Sequence, residues 1–208
     1  MLAKQLEQVK SAPDDKALEK SKSFTKDVQK ASKSIQKLAD HLRNFSRGMV
    51  EKYEVFDVFE TITDAVFITG SKVTKTGSTV TNNVVKGRCF VNGLPNQLEQ
   101  VFVNLIGNAC DAMENLPRRE LTISISPIVR DGVECWSCDV QDTGSGISPE
   151  IMDEIFHSFF TTKEKGKGTG LGLSISRGIV RDHKGDISLK SVVGQGSKFS
   201  VILPKAKL

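Results

Sequence analysis

The sequence contains no apolar run near the roughly 18 residues that a membrane-spanning helix needs, and its N-terminus has no signal-peptide core. Hydrophobic residues still make up 38% of the chain, which is enough for a folded core. The 208 residues can hold one domain of typical size and an appendage. We therefore expect a soluble, cytoplasmic polypeptide without membrane contact of its own. A membrane-anchored full-length protein, with sensor regions that precede Met1, is compatible with this expectation.

Cysteine is also scarce, with four residues in the whole chain. Cys135 and Cys138 form a lone Cys-x-x-Cys in an alternating segment that reads as a strand, on which residues three apart point to opposite faces. Cys89 and Cys110 lie in apolar segments that are typical of small core residues. Because a second ligand pair is missing, the sequence argues against a zinc site and against a disulfide framework.

Charge is spread unevenly along the chain. Residues 1–48 carry 11 basic and 6 acidic residues, whereas the remainder carries 18 basic and 19 acidic residues. The lysines of the first segment alternate with apolar positions, and no aromatic residues suited to base stacking accompany them. We interpret this charge as the solvated face of a helix and expect no nucleic-acid partner.

The same segment contains an apolar heptad pattern. Apolar residues recur at alternating steps of four and three, which is typical of a long helix in a bundle or coiled coil. The positions are Phe24, Val28, Ala31, Ile35, Leu38, Leu42 and Phe45. Leu2, Leu6 and Val9 form a shorter first arm, and a turn is predicted at 11–15. These apolar positions form the seam of the predicted hairpin. So short a hairpin cannot bury its seam by itself, which predicts a homodimer. A lone helix lying on the domain is the alternative.

After residue 48 the pattern changes to an α+β domain over 49–208. Strands and helices in the predicted order indicate a two-layer α/β sandwich with a mixed sheet against three helices. A lid is predicted over 148–169, where periodicity is weak. The predicted strands are 55–59, one near Val73, 80–85, 89–92, 121–128, 134–141, 187–189 and 198–203. The predicted helices are one short helix among the first strands, 98–113 and 171–183, with Gly185 as the stop of the last.

Residues 166–172 read Gly-Lys-Gly-Thr-Gly-Leu-Gly, directly before a predicted helix. Alternate glycines let a backbone approach a phosphate closely, and the N-terminus of the helix offers free N–H groups to an anion. An ordinary turn is the alternative interpretation of such a loop by itself.

Three polar residues share one face of the helix predicted at 98–113. Asn104, Asn108 and Asp111 follow steps of four and three, opposite the apolar stripe. Asparagine is a mediocre helix former, so this composition favours a functional site over a merely solvated face.

Asp142 follows an alternating strand and precedes Gly144 and Gly146. An ionised carboxylate accepts hydrogen bonds and cannot donate them, which suits the exocyclic amino group of adenine and disfavours the carbonyl of guanine. A turn-capping aspartate before glycines is the alternative.

Four segments in this order resemble the ATP-binding domain of sensor histidine kinases, in the superfamily shared with gyrase, MutL and the large heat-shock chaperone. They are 104–109, 142–146, 156–163 and 166–172. The resemblance covers about residues 49–208 and implies a Bergerat-type ATP-binding fold. Residues 42–48 look like the end of the dimerisation hairpin of these kinases, so 1–48 is interpreted as a partial hairpin.

The resemblance implies ATP and Mg²⁺ as cofactors, with Asn108 as the magnesium ligand and Asp142, supported by Ser197, selecting adenine. Asn104, the candidate catalytic residue, stands where gyrase-type relatives place a water-activating carboxylate; an amide there favours phosphoryl transfer over hydrolysis. Asp111 departs from kinases that have lysine at this position, so the lid lysines Lys163, Lys165 and Lys167 are candidates for meeting the phosphate charge. In the family, the phenylalanines Phe156, Phe159 and Phe160 anchor the lid. The implied nucleotide-binding positions are Asn104, Asn108, Asp111, Asp142, Gly144, Gly146, Ile147, Phe159, Thr161, Thr162, Lys163, Gly168, Thr169, Gly170, Leu171, Gly172 and Ser197.

The acceptor histidine of an autophosphorylating kinase is missing from the sequence. The three histidines are His41, His157 and His183, and none has the acidic residue and nearby proline that follow the acceptor in this family. The resemblance implies a two-component phosphorelay from ATP to a histidine and then to an aspartate of a response regulator. We expect the isolated chain to bind ATP without autophosphorylating. A serine kinase or ATPase of the same superfamily and a non-catalytic, ATP-gated dimerisation module remain as alternatives.

Overall fold

The computed structural model describes residues 52–163 and 168–207. The predicted hairpin over 1–48, including its seam and His41, lies outside the described residues, as do residues 164–167. The elements below belong to one compact unit, in the described parts of Val50–Thr162 and Thr169–Leu208.

Within the described residues, seven strands form one five-stranded sheet and one separate antiparallel pair. The strands are β1 (Glu54–Asp57), β2 (Thr79–Asn82), β3 (Phe90–Gly93), β4 (Glu120–Arg130), β5 (Val133–Asp142), β6 (Asp186–Val192) and β7 (Gly196–Pro204). The sheet has the order β2-β4-β5-β7-β6, and β1 pairs with β3. Only β2 and β4 run parallel in this part of the chain, so the sheet is mixed, as predicted.

The hairpin between β4 and β5 confirms the turn predicted at Asp131 and Gly132. Both residues adopt the left-handed conformation, with φ of 50° and 76°. Two successive positive φ values match the right-handed twist of the flanking strands, which is why Asp-Gly is favoured in such turns.

The first helix differs from its prediction. Helix α1 spans Val58–Thr76, so the strand expected near Val73 and the short helix were both wrong. The Asp57 side chain caps the helix by accepting a 3.1 Å hydrogen bond from the backbone N–H of Phe59. β-Branched residues favour strands, but here the buried ones follow helical spacing, and their burial outweighs the local propensity. The buried residues are Val58, Thr61, Ile62, Ala65 and Thr69.

Two more helices complete the layer, both close to their predictions: α2 (Pro95–Met113) and α3 (Gly172–Asp182). Helix α2 contacts α1 and α3 and also packs on β4, β5 and β7, while α3 packs on β6 and β7. The apolar stripe of α2 is fully or nearly fully buried; it comprises Leu98, Val101, Phe102, Leu105, Ile106, Ala109, Cys110 and Met113. The predicted two-layer α/β sandwich is therefore confirmed.

The segment between β5 and α3 contains two short 3-10 helices, Pro149–Ile151 and Glu154–Phe156. At the other end of α3, Lys184 rather than the predicted stop Gly185 takes the left-handed conformation, with φ of 58°. Gly185 is nevertheless required, because a β-carbon there would overlap the carbonyl of Ile202.

His183 connects the beginning of α2 to the end of α3. The residue is 4% exposed; its Nε2 accepts a 2.9 Å hydrogen bond from the Leu94 N–H, and its Nδ1 lies 2.7 Å from the Ile179 carbonyl. Since a carbonyl only accepts, Nδ1 carries the proton and the ring is neutral. The Nε2 contact thus joins the end of α3 to the start of α2, and the Nδ1 contact fixes the ring from within α3.

Cys135 and Cys138 both lie on β5, as predicted, and all four cysteines are buried free thiols. None of the helices among the described residues is both long and apolar enough to cross a membrane.

Candidate nucleotide-binding site

The polar stripe of α2 forms the floor of the candidate site. Asn104, Asn108 and Asp111 are half-buried, on the face opposite the buried stripe. The Asn104 side-chain Nδ2 donates a 3.0 Å hydrogen bond to Ser176 Oγ on α3. Gly172, the first residue of α3, lies against the same amide: a β-carbon there would be 2.9 Å from Asn104 Cγ. The N-terminus of α3 is therefore placed directly over the polar stripe.

The other end of the stripe is joined to α1. Lys72 Nζ lies 2.6 Å from Asp111 Oδ1 and donates a 2.7 Å hydrogen bond to the Gly107 carbonyl. Sequence reasoning did not identify Lys72, because it lies 39 positions before its carboxylate partner and nothing in its local pattern marks it. The acidic position on the stripe is thus paired with a lysine from the neighbouring helix.

Asp142 stands at the end of β5 and is 3% exposed. Its Oδ1 accepts hydrogen bonds from the backbone N–H groups of Gly144, at 2.8 Å, and Ser197, at 3.2 Å. Burial raises the pKa of the Asp142 carboxyl above its ordinary value of 3.8, and the two N–H groups offset part of that rise. The carboxyl group is held in one orientation by the loop after β5 and by β7, and it can accept a further hydrogen bond.

Glycines bring this carboxyl group to the end of α2. A β-carbon on Gly144 would lie 2.8 Å from the Ala112 β-carbon, and the Ser145 N–H donates a 3.0 Å hydrogen bond to the Ala112 carbonyl. Gly146 has a φ of 71°, and a β-carbon there would overlap the Val192 carbonyl. A larger residue at 144 would push the loop after β5 away from the end of α2, and one at 146 would push the loop away from Val192.

Ser197 contacts Asp142 through its backbone, and its hydroxyl group lies 2.9 Å from the Ser191 hydroxyl. Ser191 Oγ also accepts a 2.8 Å hydrogen bond from the Ile147 N–H. Ser191 was missed by sequence reasoning because only the register of β6 and β7, which pairs it with Ser197, reveals the contact. Ser191 therefore links Ile147 and Ser197, two of the predicted site residues.

The two described ends of the predicted lid meet at Phe159 and Gly170. The Phe159 N–H donates a 2.8 Å hydrogen bond to the Gly170 carbonyl, and both residues have positive φ, 70° and 67°. Gly170 is required there, because a β-carbon would lie 2.7 Å from Phe159 Cα. Phe159 is 73% exposed, whereas Phe156 and Phe160 pack on the core, so only two of the three phenylalanines serve as anchors by burial.

Phe156 is held from two sides. Its ring packs edge-on against Phe199, with centroids 6.5 Å apart, and the Arg177 guanidinium lies 4.8 Å over its ring centroid. Arg177 belongs to α3, so this contact ties the start of the lid to the helix that follows it.

The remaining predicted residues border the same segment. Thr161, Thr162 and Thr169 are exposed, and Lys163, Gly168 and Leu171 are half-buried. The Leu171 N–H lies 3.4 Å from Thr169 Oγ1, to which it donates. These positions stay predictions as nucleotide contacts.

The residues fit an adenine nucleotide with a magnesium ion. Asp142 supplies a fixed acceptor for an amino group, and the close packing at Gly144 and Gly146 holds the loop after β5 in place beside it. Asn108 offers one hard amide oxygen, a suitable ligand for magnesium that phosphates also coordinate. Among residues 52–163 and 168–207 there is no cluster of three or more acidic, histidine or cysteine side chains that could hold a metal alone. Magnesium at Asn108 would accordingly share its coordination with the nucleotide.

Comparison with known proteins finds a matching family and several relatives. The sequence model described as "Histidine kinase-, DNA gyrase B-, and HSP90-like ATPase" matches residues 93–207. The chain is 35% identical over 177 residues to the two-component sensor PprA of Pseudomonas aeruginosa, covering 83% of this chain and 19% of the relative. It is 36% identical over 179 residues to the sensor kinase CckA of Brucella abortus, covering 81% and 19%. The chain thus spans about a fifth of the length of these relatives.

Two solved structures share the fold. The nucleotide-free catalytic domain of the histidine kinase ThkA superposes with a TM-score of 0.63 at 29% identity, covering 74% of this chain and 96% of that one. Full-length ShkA in complex with AMPPNP gives a TM-score of 0.69 at 21% identity, covering 90% and 39%. At that lower identity the likeness to ShkA concerns the fold alone.

Proposed function

Because this chain belongs to the family of histidine kinase-, DNA gyrase B- and HSP90-like ATPases, we propose that it is the ATP-binding catalytic region of a two-component sensor histidine kinase. In this function the γ-phosphoryl group of ATP passes to a histidine nitrogen and then to an aspartate of a response regulator. The observation that carries the proposal is the convergence of Asp142, the α2 polar stripe and the N-terminus of α3 on one site.

Asp142 determines the base. Its carboxylate accepts a hydrogen bond from the adenine amino group, while Gly144 and Ser197 keep it in place from the protein side. Guanine presents a carbonyl at the same edge, which the carboxylate repels. The chain accordingly binds ATP in preference to GTP.

Asn108 holds the magnesium ion, which supplies charge neutralisation and alignment of the phosphates when it is bound. Gly170, Gly172 and the first N–H groups of α3 face the phosphate chain. Asn104 bounds this part of the site with an amide that already donates to Ser176. An amide cannot remove a proton from water near neutral pH, so phosphoryl transfer outcompetes hydrolysis.

The transfer step forms a bond between an imidazole nitrogen and the γ-phosphorus as the bond from that phosphorus to the β-γ bridging oxygen breaks. ADP leaves with the electron pair, and the imidazole proton passes to solvent. Neither described histidine suits this role: His183 is buried with both nitrogens in hydrogen bonds, and His157 lies 3.6 Å from Glu154, within the lid segment. His41 also lacks the acceptor motif. We therefore assign the acceptor to a dimerisation hairpin that carries this motif, and we propose that the chain forms a homodimer through residues 1–48.

A non-catalytic role is the second candidate. None of the three histidines of the sequence stands in an acceptor motif, so a module that binds ATP and dimerises without transferring phosphate is the alternative. The two functions are distinguished by whether the chain transfers phosphate to an acceptor histidine on another chain.

The test uses γ-labelled ATP with Mg²⁺, the full chain, and a separately purified hairpin with a histidine followed by an acidic residue and proline. We expect label on the hairpin only when both chains are present, lost in acid and stable in base, as phosphohistidine is. Asp142→Asn should reduce the labelling at sub-saturating ATP, and Asp139→Asn, on the same strand but paired with Lys198, is its matched control. Acid-stable label would indicate a serine kinase, and no label despite tight ATP binding would indicate the non-catalytic module. Acid-labile label on the chain alone that disappears in His41→Gln would make His41 the acceptor.

A further inference from the structure

Lys72 makes two polar contacts at the edge of the α2 polar stripe. Its ammonium group contacts the Asp111 carboxylate at 2.6 Å and the Gly107 carbonyl at 2.7 Å, across the interface between α1 and α2. The side chains of Lys72 and Asp111 are 39% and 31% exposed. Ion pairs this exposed contribute little to the free energy of unfolding, so fold stability alone does not account for the arrangement.

The position of Asp111 explains why its charge matters. Asp111 lies three residues after Asn108 on the same helix face, which separates their β-carbons by about 5–6 Å. The carboxylate therefore stands next to the place where the proposed function puts magnesium and the triphosphate. An uncompensated negative charge there would repel the nucleotide, since the net charge of MgATP is also negative.

We propose that Lys72 is a positioning residue for nucleotide binding: by holding Asp111 and cancelling its charge, it allows the triphosphate to lie along the polar stripe. The inference rests on the proposed function and adds a residue of α1 to the site. Lys72 acts through Asp111, and it affects ligands that carry phosphates more than ligands that carry only the base and sugar.

The experiment measures the binding of MgATP by calorimetry and of adenosine by NMR titration, with the full chain. Lys72→Met should weaken MgATP binding about tenfold, the effect of one unit charge acting across several ångströms near a protein surface. Its affinity for adenosine should stay within about twofold of the parent, because adenosine carries no phosphate. Lys86→Met is the matched control, since Lys86 pairs with Glu60 of α1 at the same 2.6 Å distance. Lys72→Arg keeps the positive charge and should therefore bind MgATP about as tightly as the parent.

A second set of variants isolates the charge on Asp111. Asp111→Asn should bind MgATP at least as tightly as the parent, and Lys72→Met combined with Asp111→Asn should recover to within about threefold of the parent. These variants also test the inference if Lys72→Met alone does not fold. Equal loss of adenosine and MgATP affinity in Lys72→Met, or weaker MgATP binding by Asp111→Asn, would overturn it. A parent chain that does not bind MgATP at all would instead overturn the proposed function.

Discussion

Gly172 lies so close to Asn104 that a β-carbon on it would stand 2.9 Å from the Asn104 Cγ atom. The contact places the first turn of α3 over the amide that would border the phosphates. Asn104 in turn donates to Ser176 one turn further along α3. Helix α3 and the polar stripe of α2 therefore form one surface.

Gly172→Ala should separate the two helices and lower the free energy of unfolding by roughly 1–3 kcal/mol, because the added methyl group overlaps the amide. We also expect weaker MgATP binding, since the N-terminus of α3 moves away from the site. Gly178→Ala is the matched control: it lies in the same helix with no atom within 4 Å of its added β-carbon. Urea unfolding should show Gly178→Ala to be as stable as the parent or up to about 1 kcal/mol more stable. Equal stability of the two alanine variants would contradict this packing.

The contributions of Asp142 and Asp139, both on β5, to the free energy of unfolding should change with pH in opposite directions. Burial raises the pKa of the Asp142 carboxyl, so the folded protein pays for its ionisation, and that cost disappears as the pH falls through the raised pKa. The parent should therefore gain stability relative to Asp142→Asn between neutral pH and pH 4. Urea unfolding at a series of pH values measures the difference.

For Asp139, burial raises the pKa, but hydrogen bonds from Ser137, Lys198 and Ser200 outweigh it, so the pKa lies below its ordinary value of 3.8. Ionised Asp139 thus stabilises the fold at neutral pH, and this contribution is lost as the pH falls through the lowered pKa. The parent should lose stability relative to Asp139→Asn on acidification below about pH 4. If the stability difference between the parent and the asparagine variant changed with pH in the same direction at both positions, the surroundings of the two aspartates would not differ as described.

His183→Ala should destabilise the protein by roughly 1–3 kcal/mol, because the buried Leu94 N–H loses its partner. His157→Ala is the control, since this histidine is on the surface and surface substitutions usually change stability by less than about 0.5 kcal/mol. Thermal unfolding followed by circular dichroism compares them. A His183→Ala variant as stable as His157→Ala would show that the His183 contacts contribute nothing to stability.

The seam predicted over 24–45 should make the chain a dimer. Replacing Ile35 and Leu38 with aspartate puts charges into that seam and should leave monomers in sedimentation velocity runs. A parent chain that is already monomeric at high concentration would mean that the seam packs elsewhere.

Sequence periodicity identified most of the fold and the central positions of the candidate site. The spacing of Asn104, Asn108 and Asp111 placed them on one helix face, and Asp131-Gly132 located the hairpin turn, because both depend on neighbours within a few residues. The length of the first helix was underestimated because its β-branched residues favour strands locally, whereas burial against α2 decides the outcome. Lys72 and Ser191 were missed for a related reason: their partners lie far along the chain, where no local pattern links them.

The central claim is tested most directly by calorimetry of MgATP and MgGTP binding to the parent chain and to Asp142→Asn. The account predicts that the parent binds MgATP much more tightly than MgGTP. Asp142→Asn should lose about 10–150-fold in MgATP affinity, because one charge-assisted hydrogen bond contributes roughly 1.5–3 kcal/mol. Equal affinities of the parent for both nucleotides, or unchanged MgATP affinity in Asp142→Asn, would contradict the assignment of Asp142 to the adenine site.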